Sequence, residues 1–157
     1  MATIAVRPPR LYQAGYSIPP IVRTATEADS QTFKAGHLVY LNTSGELAAA
    51  TDASTIAGIA LDNATNVTSG NATIRFIEIR PGDVYVINTK TSASSVVMGA
   101  KYGVEAPASL SEYTLDPGDT THTAMIVVGF HPDDAASDTY ARVLVRFTAD
   151  YCQLAQG

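Results

Sequence analysis

Three histidines, fifteen carboxylate side chains and one cysteine are the groups of this chain that could do chemistry. Nucleophilic catalysis needs a base within hydrogen-bond reach of a Ser, Thr or Cys, and a metal centre needs His, Cys or carboxylate ligands at short, fixed spacings. His37, His122 and His131 fall in no HExxH or other zinc-type pattern. The densest polar group is His131-Pro132-Asp133-Asp134, whose carboxylates could hold a cation, although a solvated turn accounts for it more simply. Asp116 and Asp119 flank Pro117-Gly118 as turn residues do. Cys152, being the single cysteine, excludes an intrachain disulfide and reads as a buried small hydrophobe. There is no Walker-type loop, no GxGxxG after a strand and no GxSxG elbow. The expectation is a protein that is not an enzyme, with no catalytic residues, no metal and no cofactor.

The elements that would position these groups are strands. In Thr32 to Ala64 the apolar runs Leu38 to Leu41 and Ile56 to Leu61 flank the turn Asn42 to Gly45 and the small-residue segment Leu47 to Ala50. Such runs suit short strands covered on both faces. Ala72 to Ile79 and Val84 to Asn88 are joined by Arg80-Pro81-Gly82-Asp83, which predicts a hairpin. Ala124 to Phe130 is apolar at both parities, as a central strand buried on both faces would be. In Arg142 to Phe147, Val143, Val145 and Phe147 share one face, and the arginines should reach solvent or a subunit boundary. A single helical turn is expected at Asp133 to Ser137. The sum is one all-β domain of about eight to ten strands, a barrel or a sandwich.

Residues 1–31 differ from the rest. Pro8-Pro9 and Pro19-Pro20 disfavour helix and extend the chain, yet Leu11, Tyr12, Tyr16, Ile18 and Ile21 are too apolar for a solvated linker. The segment is expected to be an extended N-terminal arm, and 32–157 the β domain. Two courses are open to the arm: packing along its own domain, or reaching a neighbouring subunit.

At 157 residues one domain is expected, with roughly 68–70% of the unfolded surface buried. Only 16% of the residues are charged, against about 25% in an average protein, so much of the surface is uncharged Thr, Ser, Asn and Ala. Such a surface loses little hydration on packing against another protein. A net charge of −5 with scattered basic residues argues against nucleic acid as a partner. The beginning of the chain lacks a signal-peptide pattern, and no run approaches the ~18 apolar residues of a membrane span. Synthesis in the cytoplasm is expected, with no membrane partner. The sequons at Asn42, Asn63, Asn66 and Asn71 therefore read as loop asparagines.

Two resemblances bear on function. Ala14-Gly15-Tyr16-Ser17 resembles the AGYDL segment of the trimeric β-fold pyrophosphatases that hydrolyse dUTP, but Ser17 stands where that family has a metal-linked aspartate. The family's phosphate and pocket motifs are missing. Phe33-Lys34-Ala35-Gly36-His37-Leu38-Val39, then Gly45-Glu46-Leu47, then Ile56-Ala57-Gly58-Ile59-Ala60, resembles the capsid decoration, or cement, proteins of tailed bacteriophages. That family runs from an F-x-A-G-x-x-V strand through G-x-L to I-x-G-I-A. The resemblance implies a β-barrel or β-tulip protein that assembles, usually as a homotrimer, on the outer surface of the expanded capsid and resists the pressure of packaged DNA. It implies the virion as location, after synthesis in the host cytoplasm, and the major capsid protein as partner. Arm residues Arg7, Pro8, Pro9, Arg10, Leu11, Tyr12, Tyr16 and Ile18 are then the expected capsid contacts, through strand addition and aromatic anchors. The alternatives are a small trimeric hydrolase acting on nucleotides, or a glycan-binding head-fibre module.

Overall fold

A computed structural model of the chain describes residues 1–15 and 19–155. The all-β expectation holds. Six strands form one antiparallel sheet in the order β1 (Arg10–Gln13), β7 (Val84–Asn88), β11 (Arg142–Phe147), β10 (Met125–Phe130), β8 (Lys101–Glu105) and β9 (Thr114–Asp116). Five form a second in the order β2 (Val22–Thr26), β6 (Thr73–Glu78), β5 (Gly58–Ala60), β3 (Leu38–Leu41) and β4 (Leu47–Ala49). Neither sheet closes, yet both curl. A parallel bridge sets Thr89, just past β7, against Leu115 of β9, and another sets Glu27, just past β2, against Leu47 of β4.

Strand alternation explains how two cores arise. Leu38 and Ile59 join Tyr85, Ile87, Met125, Val127, Val143 and Phe147 between the sheets. Val39, Leu47, Ile74 and Phe76 point the other way, into a second cluster with Phe33. The Leu38–Leu41 run is therefore apolar at both parities because both of its faces are packed. On β11 the expected split appears: Val143, Val145 and Phe147 are buried, Arg146 is exposed and Arg142 half-buried. Cys152 is fully buried, and burial pushes its thiol up to about 12. The four sequon asparagines lie in loops, where Asn42 Oδ1 accepts the Ser44 and Glu46 N–H groups and Asn63 Oδ1 accepts that of Ala35.

Three local expectations change. β10 does lie inside its sheet, but only Met125 and Val127 are buried; Ile126 and Val128 are half-exposed because no second layer covers the outer face, and past the bulge after Val127 the half-buried Phe130 stands opposite Val143 and packs against the core. Asp133 to Ser137 forms turns, and the short helical element is instead a 3-10 turn at Ala149–Tyr151. Arg80 to Asp83 does not close a hairpin: β6 and β7 belong to different sheets, so the turn is a corner. Side chains that a turn preference does not anticipate hold this corner. Arg80 Nε donates to Asp83 Oδ2 at 2.8 Å, with both side chains buried, and Arg80 Nη1 donates to the Pro19 carbonyl at 3.3 Å. Asp83 Oδ1 accepts the Gly15 N–H at 2.7 Å. A Cβ on Gly15 would stand 1.8 Å from the Gly82 carbonyl oxygen, so only glycine allows this approach.

The described part of the N-terminal segment packs along its own domain. It supplies β1 and β2, an outer strand of each sheet, and is tied to the corner on both sides of residues 16–18. Among the described residues no helix is long and apolar enough to cross a membrane.

Candidate functional site

The site begins with the register of the two outer strands. β1 sets Arg10 opposite Val86 and Leu11 opposite Tyr85, and β2 sets Val22 opposite Ile77. β1 and β2 are each the outermost strand of their sheet, and β6 and β7 run into one another at the corner. Across the second sheet, Val22, Ile77, Ile59 and Leu38 form one row. Exposure along it falls from 56% at Val22 to 6% at Ile59 and 0% at Leu38, so the core between the sheets opens towards β2.

In that opening lies an apolar groove of about 380 Å³. Arg7 to Leu11 line it from the N-terminal segment, Ile59, Leu61 and Ile77 from the second sheet, and Tyr85 from β7. The prolines keep the segment extended, and Pro9 is buried. Gly36 has φ +93°, and a Cβ there would stand 2.4 Å from Pro8 Cβ, so this glycine seats the proline. Asn88 fastens the segment further along: its Oδ1 accepts the Arg7 N–H at 3.0 Å, and its Nδ2 donates to the Ala5 carbonyl at 3.3 Å. Leu61, 36% exposed, carries the apolar wall of the groove to the surface.

The charges around the groove are unbalanced. Arg7 and Arg10 are exposed and have no carboxylate partner among the described residues. Of the other basic residues, Arg23, Arg75, Arg80, Lys90 and Arg142 pair with Glu78, Asp62, Asp83, Glu105 with Asp116, and Asp134 respectively, while Lys34, Lys101 and Arg146 enter no ion pair among the described residues. A protein of net charge −5 thus carries a small positive patch beside its apolar opening.

Of the residues expected to make contacts, Arg7, Pro8, Pro9, Arg10 and Leu11 come together in this groove. Tyr12 stands on its strand, with its ring edge-on to His131 at 6.5 Å. Tyr16 and Ile18 lie outside the described residues. Sequence reading missed the opposite wall of Ile59, Leu61 and Ile77; the Ile56 to Leu61 run marked a strand, but nothing in it marked the side on which the sheets part.

The histidines have other surroundings. His37 is buried, its Nε2 3.1 Å from the Ser111 carbonyl and 3.4 Å from Glu112 Oε2, and its ring meets Tyr113 edge-on at 5.5 Å. Burial holds its pKa below the ordinary histidine value, against the pull of Glu112. It lines a second, more polar pocket of about 370 Å³ with Lys34, Thr51 and Ser111. His131 Nδ1 accepts the Asp133 N–H at 3.3 Å. The neighbouring Asp134 is taken by Arg142, with bonds of 2.6 and 2.9 Å, so a guanidinium occupies the side where a cation was conceivable. These bonds hold Asp134 below the usual carboxylate range.

Asp52, Asp119 and His122 bring one ligand atom each within 4.8 Å of one another at the surface. Asp119 already works as a turn cap, its Oδ1 accepting the Thr121 and His122 N–H groups at 2.9 and 3.0 Å and its Oδ2 facing His122 Nδ1 at 2.9 Å. Partial burial raises its pKa, but these bonds outweigh it and leave the carboxylate below its ordinary value. The turn reading of Asp119 from sequence therefore stands, with Asp52 as a third group that sequence could not have placed there.

Comparison of the chain with protein-family models, with curated proteins and with solved structures finds no match in any of the three.

Proposed function

We propose that this is a structural virion protein, a decoration protein that binds the outer surface of the expanded phage capsid as a homotrimer, with Arg7 to Tyr12 facing the capsid subunits. One observation carries the reading: an apolar groove lined by the outer strand β1, with two arginines that have no acidic partner among the described residues, offers main-chain and side-chain contacts together. The low charge of the chain and the motif from Phe33 to Ala60 support it. Cementing needs no turnover; a protein that binds only the expanded shell stabilises that shell by mass action. A trimer repeats the same contact by symmetry.

The test is the mass of the protein in solution together with its co-sedimentation with shells before and after expansion. A trimer that pellets only with expanded shells is expected; equal or absent binding to both shell forms sinks the reading. Asp52, Asp119 and His122 favour a second reading, a small hydrolase, since a histidine and two carboxylates converge there. Nucleotide turnover by the purified protein that is lost on His122→Ala would put that reading first.

A further inference from the structure

We propose that the groove receives an extended segment of the capsid subunit in which carboxylates flank a large aliphatic or aromatic side chain. The proposal rests on the virion reading and gives its contact a chemistry.

Three observations lead to it. The walls from Leu11, Ile59, Leu61 and Ile77 are apolar, so the group that fills the opening must be apolar too. Arg7 and Arg10 line the same opening, exposed and without acidic partners among the described residues. Guanidinium and carboxylate match as planar, two-point partners, so the arginines select acidic residues by geometry as well as by charge. Finally, among the described residues β1 pairs only with β7, and its other edge offers N–H and C=O groups to an incoming strand. Nucleic acid does not suit the site, since two arginines beside an apolar slot neutralise too little phosphate.

The direction of insertion differs from that of a free arm. Residues 1–15 are already bound to their own domain, through β1 and through Asn88 and Asp83. The decoration protein therefore supplies the receptor, and the capsid subunit supplies the strand.

The experiment pans the full chain against a library of random ten-residue peptides, with the variant Arg7→Glu/Arg10→Glu as control. Enriched peptides should carry paired Asp or Glu around Leu, Ile, Phe or Tyr and should bind the variant at least tenfold more weakly. Leu61→Asp, on the opposite wall, should give a similar loss. Absence of enrichment, enrichment of basic peptides, or equal binding to the variant overturns the proposal. So does a wild-type oligomer that the double variant dissociates, because the occupant is then a second copy of this chain. Expanded shells identify the source. Shells that bind wild type but not the variant support the capsid segment, and shells that bind both equally remove the groove from the contact while leaving the virion reading intact. Shells that bind neither sink the virion reading itself, and with it the assignment of the segment to a capsid subunit.

Discussion

The Arg80–Asp83 corner and the Arg7–Arg10 groove put the same side chain to opposite uses. At the corner a guanidinium is buried, paired with a carboxylate and bonded to a carbonyl of the N-terminal segment. At the groove two guanidiniums are exposed beside apolar surface and have no acidic partner among the described residues. Breaking a buried pair leaves an uncompensated charge in low dielectric, whereas losing an exposed arginine leaves only water in its place. The corner therefore holds the segment to the domain, and the groove leaves it something to offer.

Substitution at the corner should separate these roles most strongly. Asp83→Ala strips Arg80 of its partner and the Gly15 N–H of its acceptor, so unfolding in urea should show a loss of about 3–5 kcal/mol. The double change Arg80→Met/Asp83→Leu should recover much of that loss; if it is as damaging as Asp83→Ala, the buried pair is not what the corner depends on. Next comes Gly15→Ala, whose Cβ meets the Gly82 carbonyl oxygen, with an expected cost of about 1–3 kcal/mol by the same measurement.

Acid should act on the domain more than on the groove. His37, held below its ordinary value of 6.5, stays neutral in the fold while the unfolded chain takes up a proton, so stability begins to fall as pH drops below that value. Buried Glu27 starts from 4.5: burial raises it, but bonds from the Thr65 N–H and hydroxyl and the Ala72 N–H outweigh burial and lower it. With Asp119 and Asp134, also lowered, it contributes stability above the unfolded carboxylate range that is lost as pH falls through the folded values. A thermal melt series should show a shallow decline below about pH 6.5 and a steeper one below about pH 4.5. His37→Gln should abolish the first and keep the second. The smallest effect belongs to Arg7→Ala/Arg10→Ala, expected to change stability by less than about 0.5 kcal/mol while weakening binding to expanded shells. A large loss of stability there would show that the groove arginines hold the fold as the corner does.

Legibility followed the range of the interactions. The strands from Leu38 to Ala60, the split faces of β11 and the loop asparagines were readable because alternation and turn chemistry act over a few residues. The arm residues Arg7 to Leu11 stood out as a group, since prolines and apolar side chains together are unusual in a linker, and in the structure they line one groove. The Arg80 to Asp83 turn misled because Pro-Gly chemistry marks a change of direction without saying which strands pair afterwards. The outer wall of β10 misled for a related reason: an apolar parity does not reveal whether a second layer exists to cover it.

By itself, then, the sequence determined an all-β chain with little charge, apolar runs at known places and an extended proline-rich beginning, because these depend on local conformational preference and composition. Only the tertiary structure decided that β6 and β7 part into separate sheets, that the beginning of the chain supplies an edge to each, and that an apolar groove lies between Arg7–Leu11 and Ile59, Leu61 and Ile77. Such outcomes depend on pairing and burial between residues distant in sequence, such as Gly15 with Asp83, Pro8 with Gly36 and Val22 with Ile77.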